Sequence, residues 1–372
     1  MIGHGFMGAA HSQGWRVAPR FFELDAFPVM QVVVGRDPAA VAASADKWGW
    51  AESATDWRAV IERDDIDIVD IVTPGDSHAE IAIAALAAGK HVLCEKPLAN
   101  TVAEAQEMAD AAARALAAGV YAMTGFTYRR VPAVTFARDL VASGKLGRIH
   151  QVRASYLQDW LADPEAPMAW RLRKELAGSG ALGDIGAHAI DLAQFVTGSL
   201  LDSVSGIIET LVHERPLSAG SAERGEVTVD DAALFTGRFD SGVLGTFEAT
   251  RFATGRKNAL RLEVSGTDGA LSFDLEDMNS LQYYDATAAE GLRGFTKIQV
   301  TEPVHPYTAN WWPAGHIIGY EHGFSHQAKD FIDAITSGTQ PSPSFADGLQ
   351  VQRVLAAIET SSANGSAWTP TA

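Results

Sequence analysis

Two short segments carry residue types that can do acid–base chemistry. In Gly178-Ser179-Gly180-Ala181-Leu182-Gly183-Asp184-Ile185-Gly186-Ala187-His188, a carboxylate and an imidazole stand four residues apart. On a helix that spacing puts both on one face. Such a pair suits removal of a proton from a hydroxyl, a contribution of about 10²–10⁴ in rate. The plainer alternative is an N-cap aspartate above a core histidine; Asp191 reads as structural. In Glu95-Lys96-Pro97, a lysine follows an apolar run ending at Cys94. Its ammonium can hydrogen-bond the reacting oxygen of an alcohol or ketone, or it is a solvated loop lysine.

A third segment, Gly3-His4-Gly5-Phe6-Met7-Gly8, is a complete G-x-G-x-x-G. In a dinucleotide site the first glycine makes the tight turn, the second admits the pyrophosphate and the third lets helix pack on strand. The phosphates then sit at the helix N-terminus. An acidic residue ending the second strand would bind the ribose hydroxyls and select NAD. Gly35-Arg36-Asp37 stands there instead. Arg36 can accept a 2′-phosphate or lie solvated over the adenine, and Asp37 sits one or two residues late for the ribose. The choice between NAD and NADP stays open.

A polar-aromatic cluster comprises Tyr156, Gln158, Asp159 and Trp160, then Trp170-Arg171-Leu172-Arg173-Lys174. Aromatic platforms and forked donors suit a polyhydroxylated ligand; interface packing is the alternative. His305-Pro306-Tyr307 and Trp311-Trp312-Pro313-Ala314-Gly315-His316 form a second such loop.

Strands alternating with helices must position the first three segments. Strands are predicted at 31–34, 66–72, 91–94 and 120–124. Helices are predicted at 38–48, after Thr55 as N-cap, at 79–88 capped by Ser77, and at 102–118. That spacing means βαβ units and a parallel sheet. Only Met1-Ile2 precede Gly3, so the first strand is very short or the true start lies upstream. After about residue 125 the alternation stops. Helices are predicted at 131–143, 184–196, 323–337 and 346–361. Strands are predicted at 149–156, 204–212, 232–239, 243–251, 259–265 and 270–273, with hairpin turns at Asp240-Ser241-Gly242 and Thr267-Asp268-Gly269. The expected fold is therefore α/β: an N-terminal Rossmann doubly wound parallel sheet (1–126) and a C-terminal α+β domain (127–372) with an open, largely antiparallel sheet. An open sheet with one face on helices leaves the other as an oligomer interface.

Composition narrows the function. The 372 residues are 47% hydrophobic and 20% charged, ordinary for two globular domains. A net charge of −17 argues against nucleic acid and anionic membrane as partners, since both reward Lys and Arg, though not against a small local basic pocket. The single cysteine, Cys94, rules out an internal disulfide and argues against a thiolate metal site. No run approaches 18 apolar residues and no signal peptide is visible, so a cytoplasmic chain is expected.

The G-x-G-x-x-G, Thr73-Pro74…His78, Glu95-Lys96-Pro97 and Asp184-Ile185-Gly186-Ala187-His188, in that order and spacing, resemble the Gfo/Idh/MocA oxidoreductases along nearly the whole chain. Tyr156 to Trp160, Ala177 to Asp184, Gly255-Arg256-Lys257-Asn258 and His305-Pro306-Tyr307 look most like the branch of levoglucosan and scyllo-inositol/L-glucose dehydrogenases. The resemblance implies hydride transfer between a nicotinamide (NAD or NADP) and a ring carbon of a sugar or cyclitol, without a metal. Oxidation of a levoglucosan-like C3 hydroxyl to the ketone leads. Inositol oxidation, a sugar–sugar oxidoreductase with tightly held cofactor, and a nucleotide-sensing regulator are the alternatives; retention of Lys96, Asp184 and His188 speaks against the last.

By position, the resemblance implies that Lys96 orients the hydroxyl, Asp184 holds or relays the proton and His188 is the base. It places Gly3, Gly5, Phe6, Met7, Gly8, Arg36, Asp37, Thr73, Pro74, His78, Glu95, Lys96 and Pro97 at the cofactor. It places Tyr128, Gln158, Trp160, Arg171, Lys174 and His316 at the substrate. A homodimer or homotetramer is implied. The chain departs from the family pattern at Gly75 and Thr127, where asparagines are usual, and at Gly35, where the ribose acid is missing.

Overall fold

The computed structural model, which describes residues 1–372, divides into two compact units that interleave along the chain. Unit 1 is Met1–Arg130 with Ile318–Leu349, and unit 2 is Val131–Ile317 with Gln350–Ala372. Unit 1 thus takes in a later segment beyond the expected boundary at 126/127. The reason is the amphipathic helix His322–Ser337, which packs on α1 (Phe6–Phe21) and buries Ala328, Phe331 and Ile332 against Trp15, Ala18, Leu93 and Met123.

The sheet of unit 1 is parallel throughout. Strands β1 (Val32–Val34) and β2 (Glu52–Ala54) pair, as do β3 (Ile68–Ile71), β4 (His91–Glu95) and β5 (Ala122–Gly125). Ile2 bridges to both Val34 and Ile71 and so joins the two halves. The expected first strand is thus one bridging residue. Side chains of β4 alternate: Val92 and Cys94 enter the core under α4 (His78–Ala87) and α5 (Val102–Leu116), while Leu93 enters the core under α1. Helices cover both faces, the arrangement of a doubly wound fold.

Local signals set the helix starts. Helix α2 (Pro38–Trp48) begins at Asp37, whose carboxylate accepts from Ala40 N at 2.9 Å, and ends at Gly49 in the left-handed region. Helix α3 (Trp57–Ile61) is capped by Asp56, not Thr55. Ser77 does not cap α4; its hydroxyl donates to Thr73 Oγ1 and the Pro74 carbonyl. Thr101 and Glu104 form a reciprocal capping box on α5.

Unit 2 is built on a nine-stranded sheet. Helix α6 (Pro132–Ala142) leads into β6 (Ile149–Leu157). The short helix α7 (Lys174–Ala177) and a π-turn at Leu182–Gly186 precede α8 (Ala187–Thr197). Then come β7 (Leu201–Glu209), a small hairpin of β8 (Glu214–Pro216) and β9 (Arg224–Glu226), β10 (Ala232–Phe239), β11 (Leu244–Thr250), β12 (Ala259–Gly266), β13 (Gly269–Asp274), β14 (Ser280–Asp285), β15 (Thr296–Gln299) and β16 (Thr369–Pro370). The order is β15-β14-β13-β12-β6-β11-β10-β7-β16, antiparallel except for β6 beside β11. Burial alternates along β10, as period-2 pleating requires. Helix α8 covers one face, while the other exposes Ile207, Leu234 and Leu244.

Candidate active site

The glycine loop of unit 1 is shaped for a phosphate. Gly3 has φ +104°, and a Cβ there would stand 2.9 Å from the Val72 carbonyl; a Cβ on Gly8 would stand 2.9 Å from the Gly3 carbonyl. A Cβ on Gly5 would meet nothing within 4 Å. Two glycines thus permit close packing and the middle one borders open space. Helix α1 starts at Gly5 with no side-chain cap and no acid in its first turn, leaving its N–H groups for an anion. Met7 packs inward, while exposed Phe6 stacks on Tyr320, ring centroids 6.2 Å apart. Tyr320 also meets Tyr128 at 6.4 Å.

At the ribose end, the His4 imidazole fills the space a side chain at Gly35 would enter. Arg36 is exposed, and the Asp37 carboxylate is engaged as the α2 cap. At the turn after β3, the Asn100 amide oxygen lies where a side chain at Gly75 would begin. An amide from another loop thereby stands at the usual asparagine position.

Two expected cofactor residues turn inward instead. His78 is buried, with Nε2 2.9 Å from the Thr73 carbonyl and Nδ1 3.1 Å from the Pro97 carbonyl. It ties the Thr73-Pro74 turn to the Glu95-Lys96-Pro97 turn. Glu95 is buried too; its Oε1 lies 2.9 Å from His11 Nε2, and its Oε2 accepts from Lys96 N at 3.2 Å. These residues support the loops that carry Thr73, Pro74, Lys96 and Pro97. They do not present their own side chains to a ligand.

In unit 2 the glycine-rich lead-in to α8 is held by Asp230. Its carboxylate accepts from Gly180 N and Leu182 N, each at 2.7 Å, and the chain passes so close that a Cβ on Gly180 would overlap the Asp230 carbonyl. Burial raises the Asp230 pKa against those two amides. The π-turn that follows carries Asp184, so the helix begins later than residue 184.

From Asp184 a chain of contacts runs round to His188. Asp184 Oδ2 pairs with Arg251 Nη2 at 2.8 Å, and the Arg251 guanidinium stands 5.4 Å from the Trp160 ring. Trp160 Nε1 donates to Gln158 Oε1 at 3.0 Å, and Gln158 Nε2 donates to Asn258 Oδ1 at 2.9 Å. The Tyr156 hydroxyl donates to the same oxygen at 2.6 Å, and its ring lies 5.9 Å from that of His188. Asn258 is fixed in turn: Glu276 accepts its backbone N–H, a bond that lowers the Glu276 pKa, and Asp159 binds Lys257 Nζ at 2.7 Å. The result is an amide-rich wall beside a half-exposed tryptophan, with a carboxylate and an imidazole at its ends. It suits a ring bearing several hydroxyls.

The remaining candidates fall elsewhere in unit 2. Lys174 is exposed and pairs with Glu359 at 3.2 Å. Arg171 lies over the Trp170 ring at 4.5 Å. Exposed His316 closes a local turn, its Nδ1 2.8 Å from the Pro313 carbonyl. None of the three joins the circuit. Arg251, Asn258 and Tyr320 had no motif to mark them as site residues; only the segment Gly255 to Asn258 carried a resemblance.

Comparison with known proteins agrees with both units. Residues 1–122 match the oxidoreductase family, NAD-binding Rossmann fold, and residues 134–272 match the GFO/IDH/MocA C-terminal domain. The chain belongs to the Gfo/Idh/MocA oxidoreductases and is an enzyme with an NAD-binding domain. It is 43% identical to levoglucosan dehydrogenase of Pseudarthrobacter phenanthrenivorans over 98% of this chain and 96% of that protein. An oxidoreductase domain protein from Kribbella flavida superposes with a TM-score of 0.97 at 64% identity, over 100% of this chain and 98% of the other. Levoglucosan dehydrogenase in complex with NADH and levoglucosan gives 0.95 at 43% identity, over 100% and 98%. No helix is long and apolar enough to cross a membrane.

Proposed function

We propose that the enzyme oxidises a secondary ring hydroxyl of a sugar or anhydrosugar, with a levoglucosan-like C3 hydroxyl as the leading substrate group and a 3-ketone as product. The observation that carries this reading is the circuit from Asp184 through Arg251, Trp160, Gln158, Asn258 and Tyr156 to His188. It combines an aromatic platform, neutral hydrogen-bonding groups and an acid–base pair.

Gly3, Gly5 and Gly8 would hold the pyrophosphate at the N-terminus of α1, and Phe6, Thr73, Pro74 and Pro97 would border the nucleotide. A nicotinamide bound there would supply the carbon that accepts the hydride. Lys96 donates a hydrogen bond to the reacting hydroxyl and stabilises the developing alkoxide. His188 takes the hydroxyl proton, and Asp184 holds or relays it. The C–H bond breaks with its electron pair leaving as hydride, and the O–H electrons form the carbonyl. Gln158 and Trp160 orient the ring. The exposed apolar residues Ile207, Leu234 and Leu244 on the open sheet face are where a homodimer or homotetramer would form.

The test is reduced-nicotinamide absorbance with NAD and NADP in parallel against levoglucosan, glucose, myo-inositol and scyllo-inositol. Turnover strongest with levoglucosan supports the proposal. Preference for an inositol moves the reading to a cyclitol dehydrogenase, and turnover with none of the four overturns it.

A further inference from the structure

A group of buried ionisable side chains that the proposed chemistry leaves unused lies beneath the glycine loop. His11, one turn beyond Gly8 in α1, sits between two carboxylates from separate strands. Its Nδ1 is 2.9 Å from Asp70 Oδ2 in β3, and its Nε2 is 2.9 Å from Glu95 Oε1 at the end of β4. All three side chains are buried. Trp15 Nε1 also donates to Asp70 Oδ2, at 2.7 Å. A neutral imidazole has one donor and one acceptor nitrogen, whereas both nitrogens here face carboxylate oxygens, an arrangement that a ring carrying two protons satisfies. Two further buried groups interact with these carboxylates: the Cys94 thiol, which burial and both carboxylates keep protonated, and the Met1 amino group, whose pKa burial lowers to about 6 against the pull of Asp70. Gly125 makes room for the arrangement, since a Cβ there would stand 2.7 Å from Glu95 Oε1.

The position of Glu95 gives the cluster a consequence. It is the last residue of β4, and its second oxygen accepts the backbone N–H of Lys96. We propose that His11 is a positioning residue for Lys96: a doubly protonated imidazole that locks Glu95, and through Glu95 fixes the backbone from which the lysine projects. The His11 ring also lies 5.3 Å from Phe324, which meets Tyr320 at 5.2 Å, so the same post supports the ring stacked on Phe6. Burial opposes the charged ring, and the pull of Asp70 and Glu95 outweighs it, raising the His11 pKa to about 10. Trp15 Nε1 and Lys96 N donate further hydrogen bonds to the Asp70 and Glu95 side chains.

The inference rests on the role given to Lys96, and the test separates the two. Nitrogen NMR of histidine-labelled protein should show both His11 nitrogens protonated at neutral pH and above; a single protonated nitrogen overturns the proposal. In steady-state kinetics H11Q should lower kcat by about tenfold or more, the scale of a small misplacement of a reacting group. The Kd for NADH, read by fluorescence, should hardly change. E95Q keeps the shape and one acceptor oxygen and should give a similar loss, and it carries the kinetic test if H11Q does not fold. H11Q added to E95Q should lower kcat no further, because both act through one contact. Normal kcat in H11Q and E95Q with a defective K96A overturns the role of His11 while leaving that of Lys96. Normal kcat in K96A overturns the reading of Lys96, and the role of His11 with it.

Discussion

Asp184 and Arg251 form an ion pair of unequal burial: the guanidinium is sealed in unit 2, while the carboxylate side chain keeps 30% of its surface exposed. Arg251 also donates to the Gly180 carbonyl at 3.1 Å and lies against Trp160. One buried cation therefore fixes the glycine-rich turn, the carboxylate and the aromatic platform together. Arg251→Met should lower kcat about as much as Asp184→Asn, and the double variant should lose little more than either alone. Additive losses would show that the two act separately.

Lys96→Ala and His188→Ala should each reduce kcat by about 10²–10⁴, the usual range for a positioned proton-transfer group. NADH binding, measured by fluorescence titration, should stay close to that of the unaltered enzyme. A variant with near-normal kcat removes its residue from the mechanism.

Cofactor choice should be read by Arg36 and His4. His4 fills the space beside Gly35, and the Asp37 carboxylate is engaged as a helix cap. Arg36→Ala should weaken NADP binding more than NAD binding in calorimetric titrations. Gly35→Asp combined with His4→Ala, which clears the space, should shift the ratio toward NAD. Equal effects of Arg36→Ala on both cofactors would contradict this.

Two buried histidines predict opposite pH limbs of stability. His11 has its pKa raised to about 10, so its contribution is complete below about 6.5 and is lost as pH rises toward 10. Burial, only partly offset by its hydrogen bond to the Arg130 carbonyl, lowers the His326 pKa to about 3; its contribution is complete above about 6.5 and is lost as pH falls toward 3. Thermal unfolding across pH should show the alkaline loss diminished in H11Q and the acid loss diminished in H326N.

Much of this molecule was legible in its sequence because its signals are local. The helical pattern read at 102–118 falls on α5, and the alternation read at 232–239 falls on β10. The glycine loop and the Asp184/His188 pair are likewise contiguous motifs. What escaped depends on distance along the chain. His11 meets Asp70 and Glu95 across 59 and 84 residues, and no local pattern marks such a cluster. Asp184 meets Arg251 across 67 residues. The helical pattern read at 323–337 falls on the helix His322–Ser337, yet it does not say that its partner is α1. His78 and Glu95 belong to recognisable motifs, but only their burial shows that they serve the backbone of their loops. Strands β14 and β15, at the edge of the large sheet, are short and carry no continuous alternation.

In the proposed reaction the hydride leaves a specific ring carbon of a sugar. The most direct measurement follows the label from levoglucosan deuterated at C3 during turnover with oxidised cofactor. The account predicts deuterium on the reduced nicotinamide, a 3-keto product and a slowed turnover relative to unlabelled substrate. Turnover that leaves the label in the sugar, or a ketone at another carbon, would contradict it.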